Sequence, residues 1–366
     1  MKFGYILLIS YFFFNSCSVV IPVLIPFQDI PEPTGSLSIG TRVLNWKDSA
    51  REEWFTEEEG DFREIVVQVW YPADTVFGTP EPYMDYAKHR VGPISEQIEL
   101  PPFLIRHIQN VQSNSFVNNS LKTSNELYPL VIFSHGLGGC RMQNTIQMEE
   151  LASHGFVVLA VDHPYDANIT LFADGHTADY RAKMRSEVTK ENFWPIRLPQ
   201  INTRMADLVF ILDKLEKIQD SGDTFWKQVD LTRVGVMGHS FGGGSAIGVS
   251  IKDPRFAACI ALDGWLEPIE ANLINRGMDI PFLYIGRPEW DEPLNYENLN
   301  TLIANSSAPV EKLLLEGTQH FDYADIPHFT PIASKIGLSG SISSPELLDT
   351  MNTRIISFFG KYLQKN

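Results

Sequence analysis

The chain has little positive charge. Its 366 residues include 29 Lys and Arg against 45 Asp and Glu, a formal net charge of −16, and no Lys/Arg-rich stretch is present. Because such a chain repels phosphate backbones, we predict that the protein does not bind nucleic acid. Internal repeats and long low-complexity segments are also absent, which argues against solenoid and disordered classes. Hydrophobic residues make up 44% and charged residues 20% of the chain, a globular composition.

The chain has few cysteines, and it lacks the residue spacings typical of metal ligands. A disulfide framework is not expected from three cysteines in a chain of this size, and we predict that Cys140 and Cys259 are buried free thiols. One group of acidic and histidine side chains invites a metal-site interpretation, but its spacing matches no ligand pattern and we favour a solvated lid loop (Asp162, His163, Asp166, Asp174 and His176). We therefore expect no metal and no other cofactor.

Long hydrophobic runs are missing except at the N-terminus. Lys2 is followed by an apolar run and by "FNSC", a layout that resembles a bacterial lipoprotein signal. We predict a signal peptide over residues 1–16, a lipidated tether over 17–36 that begins at Cys17, and a single catalytic domain over 37–366. An uncleaved membrane anchor is the alternative. Both interpretations place the domain outside the cytoplasm and at a membrane surface.

From Tyr128 onwards, short apolar runs alternate with segments of helical periodicity. The runs are "PLVIFSHG", "FVVLAVD", "RVGVMGHS", "ACIALDG", "PFLYIG" and "EKLLLEG". Continuous apolar strands separated by helices predict an α/β fold, with a mostly parallel central sheet and helices on both faces. Residues 79–127 and 165–198 show no clear pattern. Within the first of these, "ELPPFLIRHI" fits either a core helix or a surface that touches lipid.

The stretch "RVGVMGHSFGGGSA" places Ser240 between glycines, directly after an apolar strand. A G-x-S-x-G in this context is typical of the nucleophile elbow of α/β-hydrolases. Glycines are needed there because the turn is strained and leaves no room for Cβ atoms beside the serine. The pattern therefore predicts that Ser240 is a nucleophile.

A nucleophilic serine needs a base, and the base needs an acid that orients it. In this fold the acid and then the histidine follow the serine along the chain. Asp263 ends the next apolar run, and His320 follows "EKLLLEG". We predict that these two side chains complete the triad. Asp322 and Asp325 are rival acids, but they come after the histidine in the chain.

The oxyanion formed during attack needs backbone N–H donors. We expect one from Phe241, the residue after the nucleophile, and one from Leu137 in the loop "HGLGG". His135 is expected to brace that loop. His239 receives no role.

Several segments resemble the plasma-type (isoform II) platelet-activating factor acetylhydrolase family of α/β-hydrolases. They are "YPLVIFSHGLGG", "LASHGFVVLAVDH", "VDLTRVGVMGHSFGGGSA", "CIALDGWLEPI" and "GTQHFDYADIPHFT". The resemblance implies the same triad and oxyanion donors, no metal, and removal of short or oxidised acyl groups from phospholipids. The segment from Tyr165 to Leu198 shows no family pattern, and we expect it to shape the acyl pocket.

The predicted function is that of a serine esterase for short acyl esters, including the sn-2 acetyl group of a phospholipid. Two alternatives stay open. One is a general carboxylesterase that acts on small or polymeric esters. The other is a catalytically silent lipoprotein that keeps the hydrolase fold for binding.

Overall fold

The computed structural model describes residues 21–365 except 75, 118, 184–186 and 291. Nine strands of this part of the chain form one sheet, in the order β11-β10-β9-β8-β4-β5-β2-β1-β3, and β6 pairs with β7. The strands are β1 Ser38–Glu52, β2 Phe62–Ala73, β3 Ser115–Val117, β4 Tyr128–Ser134, β5 Val157–Asp162, β6 Ile169–Leu171, β7 Thr177–Asp179, β8 Val229–His239, β9 Phe256–Leu262, β10 Phe282–Gly286 and β11 Val310–Leu314.

Strand β2 is antiparallel to both of its neighbours, and the other strands of the large sheet run in one direction. Helices cover both faces, so the predicted α/β class is confirmed. The α-helices are α1 Ala87–Gln97, α2 Pro102–Ile105, α3 Thr145–Ser153, α4 Phe193–Asp220, α5 Phe241–Lys252, α6 Ala271–Arg276, α7 Leu294–Asn305 and α8 Ser344–Leu363.

The central strands are buried on both faces. Along β4, Leu130 and Ile132 pack with residues of α4 and α5, whereas Val131 and Phe133 pack with residues of α3 and α8. Every residue of β4 and β5 is buried. This double burial explains why these strands are continuous apolar runs and not alternating ones. The carboxyl ends of the parallel strands therefore lie at one edge of the sheet, where ligands bind in open α/β sheets.

The N-terminal segment lies against the domain. The predicted signal peptide and Cys17 are outside the described residues, but residues 28–37 make backbone hydrogen bonds to the body of the protein. Gln28 N donates to Phe329 O at 2.8 Å, and Ile30 is 4% exposed. Part of the segment predicted to be a tether, residues 17–36, therefore packs against the domain. No helix among the described residues has the length and hydropathy needed to cross a bilayer.

The irregular region 79–127 contains α1, α2, the 3-10 helix Arg106–Asn110 and β3. Ile105 and Ile108 are buried in a third apolar cluster, while Phe103 exposes 51% of its surface. The stretch "ELPPFLIRHI" therefore contributes to the core and also presents one large apolar side chain to solvent.

Candidate active site

Ser240 lies on the tight turn that joins β8 to α5. Its backbone has φ 55° and ψ −119°, a strained conformation for a residue with a side chain. A Cβ on Gly238 would lie 2.2 Å from Gly242 O, and one on Gly242 would lie 2.0 Å from Ser134 O. Both glycines are required because neither position has room for a side chain. The elbow geometry expected from the sequence is thus present.

Ser240, His320 and Asp263 are hydrogen-bonded in series. His320 Nε2 lies 2.9 Å from Ser240 Oγ, and His320 Nδ1 lies 2.6 Å from Asp263 Oδ2. Asp263 follows β9, and His320 opens a 3-10 helix after β11. All three side chains therefore extend from loops at the carboxyl edge of the sheet. Ser240 is 7% exposed and Asp263 is fully buried.

Asp263 is held by groups that the sequence pattern did not identify. Its Oδ1 accepts hydrogen bonds from Arg287 N at 3.1 Å and from Trp290 Nε1 at 3.0 Å. The Trp290 ring also meets the His320 ring edge-on, with centroids 5.3 Å apart. These contacts fix the carboxylate so that only Oδ2 faces the imidazole. Both residues lie on the loop after β10, which carries no recognisable motif.

The rival acids lie elsewhere. Asp322 accepts hydrogen bonds from Gln319 N and Gly340 N, at 2.7 and 2.8 Å. Asp325 is fully buried and accepts from Ile146 N, and burial raises its pKa well above the usual range. Neither carboxylate is a hydrogen-bond partner of the His320 ring, which faces Asp263.

The loop that carries Leu137 runs beside the nucleophile. A Cβ built on Gly136 would lie 3.4 Å from Ser240 Cβ. Among the described residues, no acceptor takes the backbone N–H of Leu137 or that of Phe241. Both amides are thus available to a substrate oxygen, as the sequence predicted for an oxyanion hole.

The side chains of Gln97 and Gln143 hold this loop. Gly136 N donates to Gln143 Oε1 at 2.7 Å, and Gln97 Nε2 donates to Leu137 O at 2.9 Å. Gln143 Nε2 donates to His239 Nδ1 at 2.8 Å, and His239 Nε2 donates to His320 O at 3.1 Å. Burial, reinforced by the neighbouring His320, lowers the pKa of His239 well below its usual value. His239, which received no role from the sequence, therefore links the oxyanion loop to the loop of the base as a neutral ring.

The acidic and histidine group at 162–176 forms ion pairs and hydrogen bonds. Asp162 pairs with Arg141 at 2.6 Å, and Asp166 pairs with Arg204. His163 lies between Ser134 Oγ and Asp207 Oδ2, at 2.9 and 2.8 Å. The prediction of a solvated lid loop is wrong for these three residues, which are at most 2% exposed.

Only Asp174 and His176 of that group lie in a solvated hairpin, where their side chains contact each other at 2.5 Å. Within the described part of the chain, no group of three or more His, Cys, Asp or Glu has a metal-binding arrangement. Cys140 and Cys259 are free and buried, as predicted.

Two hollows border segments that carry the site, and neither has Ser240, Asp263 or His320 in its lining. A small apolar cavity of about 50 Å³ is next to the oxyanion loop, and its lining includes Gly138, Gly139 and Phe321. On another side, a more open groove is lined in part by Phe193 and Trp265. Trp265 N donates to Ser240 O at 2.8 Å, so this groove adjoins the elbow. The expected pocket segment, Tyr165–Leu198, contributes to the groove.

A nine-stranded, mostly parallel sheet with a serine on the strand–helix elbow defines an α/β-hydrolase. The family model described as platelet-activating factor acetylhydrolase, isoform II, matches residues 27–366. The chain belongs to this family.

Relatives and a solved structure agree with that assignment. The platelet-activating factor acetylhydrolase of Gallus gallus is 27% identical over an alignment of 276 positions, and the match covers 67% of this chain and 64% of that protein. Cutinase est2 of Thermobifida alba is 28% identical over 200 residues, 54% of each chain. The ferulic acid esterase of Streptomyces cinnamoneus superposes with a TM-score of 0.73 at 25% identity, covering 92% of this chain and 93% of the other. The chain thus spans somewhat less than two thirds of the length of the chicken protein.

Proposed function

We propose that the protein is a serine esterase that hydrolyses short acyl esters. The observation that carries the proposal is the hydrogen-bonded series Ser240–His320–Asp263 at 2.9 and 2.6 Å. Ser240 Oγ attacks the ester carbonyl carbon while His320 Nε2 takes the hydroxyl proton. The negative charge on the carbonyl oxygen is stabilised by the N–H groups of Leu137 and Phe241.

The tetrahedral species then breaks the bond to the alcohol, which leaves with the proton from His320. Water attacks the acyl-enzyme, gives its proton to His320, and releases the carboxylic acid and free Ser240. Asp263 holds the imidazole so that Nδ1 carries a proton and Nε2 is free to accept one. Every step uses protons already present in the triad or in water.

We propose an acetylated phospholipid as the substrate class. The family and the chicken relative carry the acetylhydrolase name. The cavity beside the oxyanion loop has an apolar lining and little room, which supports a short acyl group. An ester with a two-carbon acyl group should therefore be hydrolysed faster than the same ester with a long acyl group.

A general carboxylesterase for aromatic or polymeric esters is the second candidate. The groove with Phe193, Trp194 and Trp265 in its lining favours it, because aromatic side chains stack well on a flat ring. A cutinase and a ferulic acid esterase are among the similar proteins. Rates on methyl ferulate and on a 2-acetyl phospholipid, measured side by side, distinguish the two candidates.

The experiment for the reaction itself combines labelling and kinetics. A fluorophosphonate probe should label wild type. Ser240→Ala should abolish the labelling and lower the rate of p-nitrophenyl acetate hydrolysis at least a thousand-fold. The matched control is Ser250→Ala in α5, whose hydroxyl donates to Ala246 O and makes no hydrogen bond to a triad residue. Labelling that persists in Ser240→Ala contradicts the assignment of the nucleophile. A folded wild type that hydrolyses none of these esters contradicts the enzyme proposal and supports a silent binding protein.

We also propose that the protein is exported and anchored at a membrane surface through lipidated Cys17. The support is the charged start, the apolar run and the small residue Ser16 before the cysteine. Val23 and Leu24, a few residues further on, expose 75% and 63% of their surface. An anchored enzyme of this kind is suited to an ester that resides in a bilayer.

A further inference from the structure

The oxyanion donor Leu137 N–H belongs to a peptide group whose other end is the carbonyl of Gly136. That carbonyl accepts three hydrogen bonds, one from Gly139 N at 3.0 Å within the loop and two from side chains. His135 Nδ1 lies 2.6 Å from Gly136 O, and Arg204 Nη2 donates to the same oxygen at 3.3 Å. Arg204 also donates to His135 O and pairs with Asp166. The arginine side chain is 1% exposed, so its charge is buried against the oxyanion loop.

The proton on the His135 ring can be assigned from its partners. His163 N donates to His135 Nε2 at 3.2 Å, so Nε2 is an acceptor and the proton resides on Nδ1. Burial, together with the charge of Arg204, lowers the pKa of His135 well below its usual value. His135 is therefore a neutral donor, and both side-chain partners of the Gly136 carbonyl donate hydrogen bonds to it.

Hydrogen bonds to a carbonyl oxygen draw electron density along the amide and make its N–H a stronger donor. A fixed positive charge in a site shielded from water adds to this effect, because the local dielectric is low. The Arg204 guanidinium also lies 4.8 Å from the centroid of the Phe241 ring, on the residue that supplies the other amide. The charge is thus close to both residues of the oxyanion hole.

We propose that Arg204 is a positioning residue that orients and polarises the Gly136–Leu137 peptide, so that Leu137 N–H stabilises the oxyanion more strongly. The proposal rests on the proposed function, because it assumes that Leu137 contacts the reacting carbonyl oxygen. It differs from simple anchoring of the loop, which a neutral side chain can also provide. Polarisation predicts a specific loss of charge stabilisation in the tetrahedral state.

The first variant is Arg204→Lys. Lysine keeps the positive charge opposite Asp166, but a single ammonium lacks the planar fork that reaches Asp166 and two carbonyls together. Loss of a whole oxyanion donor costs about 100- to 1000-fold in kcat. Weakening one donor should therefore lower kcat for p-nitrophenyl acetate about 10- to 100-fold while KM stays within about threefold. The paired variant Arg204→Gln with Asp166→Asn removes the charge without leaving a lone carboxylate, and should lose at least as much.

The decisive measurement uses a trifluoromethyl ketone, which adds to the serine as a hemiketal whose oxygen occupies the oxyanion hole. The ionisation of this hemiketal can be followed by fluorine NMR as the pH is changed. In Arg204→Lys its pKa should rise and the affinity for the ketone should fall in parallel with kcat/KM. The pH profile of kcat/KM, which reports the histidine base, should keep its midpoint.

Two comparison variants separate polarisation from anchoring. Gln143→Met removes the partner of Gly136 N–H, on the preceding peptide, and leaves the Gly136 carbonyl contacts in place. It should raise the hemiketal pKa less than Arg204→Lys does. Arg63→Lys alters an equally buried arginine, paired with Asp207 and Glu53 and without contact to residues 135–137, and should leave the hemiketal pKa unchanged.

An Arg204→Gln/Asp166→Asn enzyme, which lacks the charge, overturns the proposal if it keeps kcat within threefold and an unshifted hemiketal pKa. So does an equal shift in Gln143→Met, because anchoring alone then accounts for the effect. If the Arg204 variants do not fold, His135→Asn tests the same carbonyl with the Arg204–Asp166 pair intact. A raised hemiketal pKa there supports the proposal, and an unchanged one overturns it. If the wild type itself has no esterase activity, the proposed function is contradicted. That result differs from a loss of the Arg204 effect in an active enzyme.

Discussion

The Asp263→Asn substitution tests the triad most sharply, because the surrounding donors dictate how the new side chain sits. Asp263 Oδ1 accepts from Arg287 N and Trp290 Nε1, at 3.1 and 3.0 Å. An asparagine is expected to place its carbonyl oxygen there, since an NH₂ group would face two donors at that position but only Arg287 Nε, 3.2 Å from Oδ2, at the other. Its NH₂ group is then directed at His320 Nδ1, where the carboxylate oxygen had been 2.6 Å away.

That orientation reverses the tautomer of the base. Nδ1 must now accept the hydrogen bond, so the proton of the neutral ring resides on Nε2. This nitrogen lies 2.9 Å from Ser240 Oγ and can no longer take the hydroxyl proton. The same change in a serine protease triad costs about 10⁴-fold in kcat, which corresponds to about 5 kcal/mol of transition-state stabilisation.

The assay is the initial rate of p-nitrophenyl acetate hydrolysis per folded molecule, with folding checked by thermal melting. The matched control is Asp322→Asn, whose carboxylate accepts backbone N–H groups of Gln319 and Gly340 and should change kcat only a few-fold. A loss of less than tenfold in Asp263→Asn refutes the tautomer argument. A larger loss of kcat in Asp322→Asn than in Asp263→Asn would mean that Asp263 is not the acid of the triad.

Three further outcomes are expected. Trp290→Phe removes one donor from Asp263 and should lower kcat roughly tenfold, the cost of about one hydrogen bond to a charged group, measured with the same ester. Hydrolysis should persist in EDTA, because Asp162 and Asp166 are paired with arginines; loss on chelation that a divalent ion restores contradicts this. Cys17→Ser should block signal processing and lipid attachment, seen as a changed mass and detergent partitioning; a variant identical to wild type argues for an uncleaved anchor or a plain signal.

The strands and the nucleophile elbow were predictable because both depend on local sequence. Apolar runs such as those of β4 and β5 indicate double burial directly. The glycines around Ser240 reflect backbone contacts within the turn and with the neighbouring strand end. The chain order of Ser240, Asp263 and His320 follows from the topology of the fold. Their catalytic roles stay a prediction until the variants are measured.

The supporting residues were not predictable because their partners are distant in sequence. Trp290 and Arg287 meet Asp263 only after two strands are placed side by side. The acidic residues near 162 have the composition of a solvated loop, but Arg90, Arg141 and Arg204 from three other segments pair with them in the interior. The segment 28–36 has the polar, proline-rich composition of a tether, yet its backbone groups find partners on the domain. Composition records none of these long-range pairings.

The stability of the protein at acidic pH tests the packing behind the loop that carries His320. His328 Nε2 donates to Asp322 O at 2.9 Å, and its Nδ1 accepts from Ser344 Oγ at 2.5 Å. Burial lowers the pKa of His328 to about 4, whereas an exposed histidine has a pKa of about 6.5. Between these two pKa values, His328 therefore binds a proton in the unfolded chain but not in the folded protein. This stabilisation is present above pH 6.5 and is lost as the pH falls towards 4.

At pH 5 the loss from this one group should be about 2 kcal/mol, from the linkage relation and the two pKa values. His328→Gln retains a donor and an acceptor but does not titrate. The difference in unfolding free energy between wild type and this variant should therefore shrink by about 2 kcal/mol from pH 7 to pH 5, measured by urea titration. Glu149, whose pKa burial raises to about 7, changes stability in the opposite direction, but it does so in both proteins and cancels in the difference. A difference that does not vary with pH would mean that His328 is protonated equally easily in both states, and that the interior beneath the base loop is accessible to water.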